Sequence, residues 1–208
     1  MSLEMWLTFV VASVLISIAP GAGMVNTLSN GIVYGVRHSL PSILGLQLGL
    51  AAQFLIVGAG LGALLASSET AFEVIRWLGV AYLVWLGWTK WRQPPVELHV
   101  RPDPQQLAYG RRFWQSALIN LTNPKATVFL VALLPQFIDP AQPQLPQIGL
   151  LAATGVSVDL LVMTGYAWLA AQASTWLRSE RHQQRLNRVT GSLFLLAAGL
   201  MASYRRSG

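Results

Sequence analysis

No cysteine occurs in the 208 residues, which removes disulfides, thiolate metal sites, thiol nucleophiles and redox relays together. Charge is scarce as well. Asp, Glu, Lys and Arg make up 11% of the chain, where a soluble domain carries roughly 25%. These few charges cluster between apolar runs instead of spreading along helix faces, which argues against a soluble helical domain. Histidine appears only at His38, His99 and His182, and each reads as a solvated loop residue, not a metal ligand. No catalytic residue, metal site or cofactor is expected: the chain offers no nucleophile–base pair and no metal quartet. Gly58-Ala-Gly60-Leu-Gly-Ala63 imitates a dinucleotide fingerprint, but it lies inside an apolar run with no strand before it. The net charge of +6 is shared among alternate loops and forms no basic stripe interleaved with aromatics, so nucleic acid is not an expected partner.

What the chain does hold is apolar surface. It is 53% hydrophobic, with a mean hydropathy of +0.49, 18 glycines and 8 tryptophans. The expected fold class is an all-α membrane protein. Spans are predicted over about residues 5–19, 41–66, 72–91, 113–135, 147–171 and 189–204, at or near the roughly 20 residues that a bilayer core requires. The only early charge is Glu4, so the first run reads as a mature helix and not as a signal peptide. Trp88 and Trp91 near the end of the third span read as interface anchors.

Two spans are interrupted. Asn120-Leu-Thr-Asn-Pro-Lys125 places a lysine and a proline inside an apolar stretch. An isolated lysine there costs about 2.5–3.5 kcal/mol on insertion scales, so it calls for a polar cavity or a partner. Pro124 removes a helical N–H and disfavours helix at Asn123. The other interruption is Ser17-Ile-Ala-Pro20-Gly-Ala-Gly23. Pro20 and Pro124 stand 104 positions apart, half the chain length, and broken helices at matching places in two halves point to a transporter's binding site. The expected organisation is one transmembrane domain over 1–208, built of repeat one (about 1–91), a cytoplasmic linker (about 92–110) and repeat two (about 111–208). With three spans each, the repeats are inverted.

Arginine and lysine counts orient it. Arg37, Lys90, Arg92, Arg101, Arg111, Arg112, Arg178, Arg181, Arg185 and Arg188 fall on one side, against Arg76, Arg205 and Arg206 on the other. The richer side is cytoplasmic, which leaves both termini periplasmic. Gly45 and Gly49, extended by Gln53, form a small-residue face for helix packing. Such faces serve within one chain or between chains, so a homo-oligomer stays open.

Asp159 is the one acid deep in a span, with Gly155, Met163 and Tyr166 on its helix face. Two readings stand: a fixed partner for Lys125, or a carboxyl that binds a cation or takes up protons. Lys125 in turn neutralises Asp159 or attracts a carboxylate. The candidate substrate-binding set is Pro20, Gly21, Gly23, Asn26, Asn120, Asn123, Pro124, Lys125 and Tyr166, with Asp159 for proton coupling. A channel and a membrane-embedded enzyme are the rival classes, the second disfavoured by the lack of histidine and cysteine within spans.

The Pro20-Gly21 element, Gly35-Val-Arg37, Trp77-Leu-Gly-Val-Ala-Tyr-Leu-Val-Trp-Leu-Gly87, and Asn120-Leu-Thr-Asn-Pro-Lys125 followed by Leu134-Pro-Gln-Phe-Ile-Asp139 together resemble the LysE/RhtB-type amino-acid exporters over nearly the whole chain. Leu3-Glu-Met-Trp6, Gly45-Leu-Gln-Leu-Gly49 and Val158-Asp159 with Gly165-Tyr166 are similar to its homoserine/homoserine-lactone branch. The resemblance implies proton-driven efflux of a small neutral amino acid, such as homoserine, homoserine lactone or threonine, across a bacterial-type inner membrane. Substrate identity and export direction come from the resemblance alone; export of another amino acid or a cation is the alternative. Under it, the Pro20–Gly23 break and Lys125 capture the carboxylate, and Asp159 serves as ammonium partner or proton carrier.

Overall fold

Proline and its preceding residue decide where two of the helices stop. Ala19, before Pro20, is extended at φ −60° and ψ 129°, and Asn123, before Pro124, at φ −76° and ψ 106°, as the clash with a following proline ring requires. Pro124 then takes the first position of a new helix, where its missing N–H costs nothing.

The computed structural model describes residues 1–65, 69–92, 108–139, 141–172 and 180–203. Most of the expected linker, with Arg101 and His99, lies outside these residues, as do Arg178, Arg205 and Arg206. The elements are α1 (Leu3–Ile18), α2 (Ala22–Leu65), α3 (Glu69–Arg92), α4 (Tyr109–Leu121), α5 (Pro124–Leu133), a 3-10 turn (Leu134–Phe137), α6 (Gln144–Gln172) and α7 (Glu180–Ser203). No strand occurs among the described residues.

Several expectations are corrected. The stretch between the first two spans is helical from Ala22, as two helical segments that meet at a kink at Gly35, and the second of them runs through Pro41. The departure from helix is Gly35, at φ 71° and ψ 176°, a backbone state that glycine reaches without steric cost. Beyond that kink the polar groups of the helix find partners. Ser39 Oγ donates to the Gly35 carbonyl at 2.7 Å, and Arg112 Nη1 donates to the His38 carbonyl at 2.8 Å. His38 is therefore a helical residue, stacked on Tyr109, and His182 also falls within a helix. Arg112, counted above as a loop charge, is buried, with its guanidinium 4.3 Å from the Tyr34 ring centre and 4.9 Å from that of Tyr109.

Helix α2 packs against α6 and α4, α3 against α7, and α1 against α6. The small-residue face meets α4: a Cβ on Gly45 would collide with the Phe113 carbonyl, and one on Gly49 would lie 2.5 Å from the Ala117 carbonyl oxygen. One turn further, Gln53 Nε2 donates to the Leu121 carbonyl at 3.1 Å. This face is thus used within the chain. Gly87 and Gly191 do the same for α3 and α7, each facing the other's carbonyl. The core gathers around Phe9, Phe54, Leu130, Leu134 and Leu151, with a second cluster around Ile43, Leu46, Met163 and Ala167.

Among the described residues, two helical stretches are long and apolar enough to cross a membrane, Ala22–Gly60 and Gln144–Gln172. A third span results if Tyr109–Leu121 and Pro124–Phe137, bent by 48°, are taken together. Leu55, Ile56, Leu161 and Trp168 project outward from these stretches, an exposed apolar surface of the kind lipid covers.

Candidate functional site

Breaking α1 before Pro20 leaves carbonyls without N–H partners, at the negative end of the helix dipole. Lys125 answers them. Its Nζ donates to the carbonyls of Ile16 at 2.9 Å and Ala19 at 2.8 Å. Tyr166 Oη donates to the Ile18 carbonyl at 2.7 Å. Gly21 leaves room for the lysine, since a Cβ there would lie 3.2 Å from Nζ.

The second break is closed from within its own strand of sequence and from α2. Asn123 caps α5, its Oδ1 accepting from the Lys125 backbone N–H at 3.1 Å. Asn120 Nδ2 donates to the Leu46 carbonyl at 2.7 Å. Gln53 Nε2, besides its bond to Leu121, donates to Thr127 Oγ1 at 2.7 Å. Satisfying these groups internally is obligatory where no water reaches the backbone.

Both breaks open onto one cavity of about 50 Å³, walled by Ser13, Ser17, Gly23, Asn120, Asn123, Lys125 and Asp159, with apolar sides from Leu50, Phe54, Phe129 and Met163. At 10–15 Å³ per water, that is room for about four. Asp159, half-buried, accepts from Gln47 Nε2 at 2.9 Å through Oδ2. Three buried oxygens nearby in the fold, Ser13 Oγ, Gln47 Oε1 and Gln53 Oε1, have no hydrogen-bond partner among the described residues.

Of the expected residues, Gly23, Asn120, Asn123, Lys125 and Asp159 therefore share a cavity. Pro20, Gly21, Pro124 and Tyr166 shape the breaks without being among its lining residues. Asn26 belongs elsewhere: its Nδ2 donates to Ser42 Oγ and Ser116 Oγ, both at 2.9 Å, in a polar cluster that includes Asn30. Sequence reasoning missed Ser13 and Ser17, whose spacing of four in an apolar run puts two hydroxyls on one helix face. Ser116 and Asn120 repeat that spacing on α4.

The two breaks thus bring a lysine and a carboxylate to one cavity wall. The profile described as LysE type translocator matches residues 14–205. The chain belongs to that family. The translocator is similar to a relative from Vibrio cholerae described as an uncharacterized membrane protein, 47% identical over 98% of each chain. It is also 44% identical to the homoserine/homoserine lactone efflux protein of Salmonella typhimurium, over the whole of both chains. A leucine efflux protein from Enterobacter is 28% identical over 97% of this chain and 96% of its own. No solved structure matches the translocator. Family membership makes it a membrane transporter of amino-acid type and not an enzyme.

Proposed function

We propose that the protein exports homoserine, homoserine lactone and threonine across a bacterial inner membrane in exchange for protons. The full-length 44% identity to a homoserine/homoserine lactone efflux protein carries the substrate reading, and the cavity at the two helix breaks, with Asn120, Asn123, Lys125 and Asp159 on its wall, offers the polar groups that such a solute needs. In this reading Asp159 binds either a proton or the substrate's α-ammonium, but not both. That exclusion couples the two flows: a proton taken up outside displaces the amino acid, and its release inside frees the carboxylate for the next one. The ammonium of Lys125, together with Gly23 in the first turn of α2, gives the cavity a positive wall toward a substrate carboxylate. Asn120 and Asn123 supply amide donors and acceptors.

We further infer six spans in two inverted repeats within one domain, with both termini periplasmic and the two halves rocking about the cavity in alternating access. Three correspondences support the repeat. Pro20 and Pro124 stand 104 positions apart, as do the facing Gly87 and Gly191, and Gly35, where α2 is broken, stands 104 positions before Asp139, which precedes α6. The test is efflux of labelled homoserine and threonine from preloaded proteoliposomes, with and without an imposed pH gradient, for wild type and Asp159→Asn. Gradient-driven efflux in wild type and its loss in the variant are expected; full gradient-driven transport by Asp159→Asn would remove the proton role.

A further inference from the structure

Helical serines and threonines in apolar surroundings commonly return their hydroxyl to the carbonyl one turn back. Thr8, Thr122, Thr154 and Thr164 do so, at 2.7 to 2.9 Å. Ser13 does not. It is 2% exposed, its Oγ is buried without a hydrogen-bond partner among the described residues, and Ser13 is one of the residues that line the cavity. A buried hydroxyl left unpaired is costly, so a fold that keeps one on a cavity wall holds it ready for a partner that arrives with the ligand. Phe54 and Phe129 line the cavity as apolar walls, while its other polar groups are Ser17 one turn along α1 and Asn120, Asn123, Lys125 and Asp159 from α4, α5 and α6 and the break between α4 and α5. Asp159 lines the same cavity from α6, its carboxylate held by Gln47.

Resting on the export reading above, we propose that Ser13 is the specificity residue of the transport site. Its hydroxyl donates to the side-chain oxygen of homoserine, or to the ring oxygen of the lactone, while the α-ammonium sits at Asp159. A site built to bond a substrate oxygen discriminates against the analogue that lacks it, because the protein group is then left unpaired. Norvaline, with a methyl in place of the homoserine hydroxyl, is that analogue.

The experiment compares homoserine and norvaline efflux from proteoliposomes for wild type and Ser13→Ala. Wild type should prefer homoserine, and the alanine variant should lose about two- to twelvefold of that preference, the range a single neutral hydrogen bond supplies, through slower homoserine export at a norvaline rate that changes less. An unchanged preference in a transporting variant overturns the role of Ser13 and leaves the export reading intact. Failure of wild type to move homoserine overturns both. Should Ser13→Ala not assemble, Ser13→Cys decides, because in a chain with no cysteine it carries the only thiol. Homoserine should then slow alkylation by a small methanethiosulfonate reagent more than equimolar norvaline does; equal protection by the two, or none, overturns the assignment.

Discussion

Lys125 keeps a charge in an apolar fold by giving its Nζ hydrogens to the carbonyls of Ile16 and Ala19. Charge-assisted bonds of this kind contribute about 1.5–3 kcal/mol each, enough to offset the insertion penalty. Lys125→Met would leave carbonyls at the end of α1 without that donor. We expect it to destabilise the detergent-solubilised protein by about 2–4 kcal/mol, read as a lowered Tm. Gly21→Ala places a methyl 3.2 Å from the same Nζ, but the flexible side chain needs to give by only a few tenths of an ångström and keeps its carbonyl bonds, so the cost should be about 1 kcal/mol, the low end for overpacking. Equal Tm losses in the two variants would mean that the lysine does not hold the end of α1. Asp159 is paired differently: its carboxylate has an amide partner in Gln47, which steadies it without neutralising it.

Helix α2 meets α4 through Gly45, Gly49 and Gln53 set against the carbonyls of Phe113, Ala117 and Leu121. Three contacts at intervals of four residues on both helices bring the backbones together, as small residues permit. Gly45→Ala drives a methyl into the Phe113 carbonyl, a backbone atom that cannot rotate away. The helices would have to separate, and a loss of about 1–3 kcal/mol is expected. Gly149→Ala is the control: nothing lies within 4 Å of its added Cβ, and better helix propensity should leave stability equal or slightly raised. Thermal unfolding of the two variants side by side checks the packing, and a neutral Gly45→Ala would show that the two backbones are further apart.

Inverted repeats of three spans put the amino and carboxyl ends on the same face, and the arginine distribution puts that face outside. Alkaline phosphatase fused at either terminus should be active and a fluorescent protein fused there dark. Opposite results at the two ends would break the six-span count, whereas a cytoplasmic result at both would keep the count and reverse the orientation. Buried Arg112, laid between Tyr34 and Tyr109 and bonded to the His38 carbonyl, does not count as a free loop charge; the assignment rests on the others.

The membrane character and both helix breaks were legible in the residues themselves, because hydropathy and the steric demands of Pro20 and Pro124 act over a few neighbouring positions. The small-residue face of Gly45 and Gly49 was legible for the same reason, although not its partner α4. Partners are another matter. Lys125 lies 106 positions from Ala19 and Gln47 lies 112 from Asp159, and no local rule chooses between the carbonyls of α1 and the carboxylate of α6 for the lysine. Asn26 was read toward the cavity and instead joined Ser42 and Ser116, and the stretch after the kink at Gly35 is helical with its His38 carbonyl covered by Arg112 from a distant helix. Where a backbone group is broken free is a property of the chain nearby; which donor reaches it depends on how helices distant in sequence pack together.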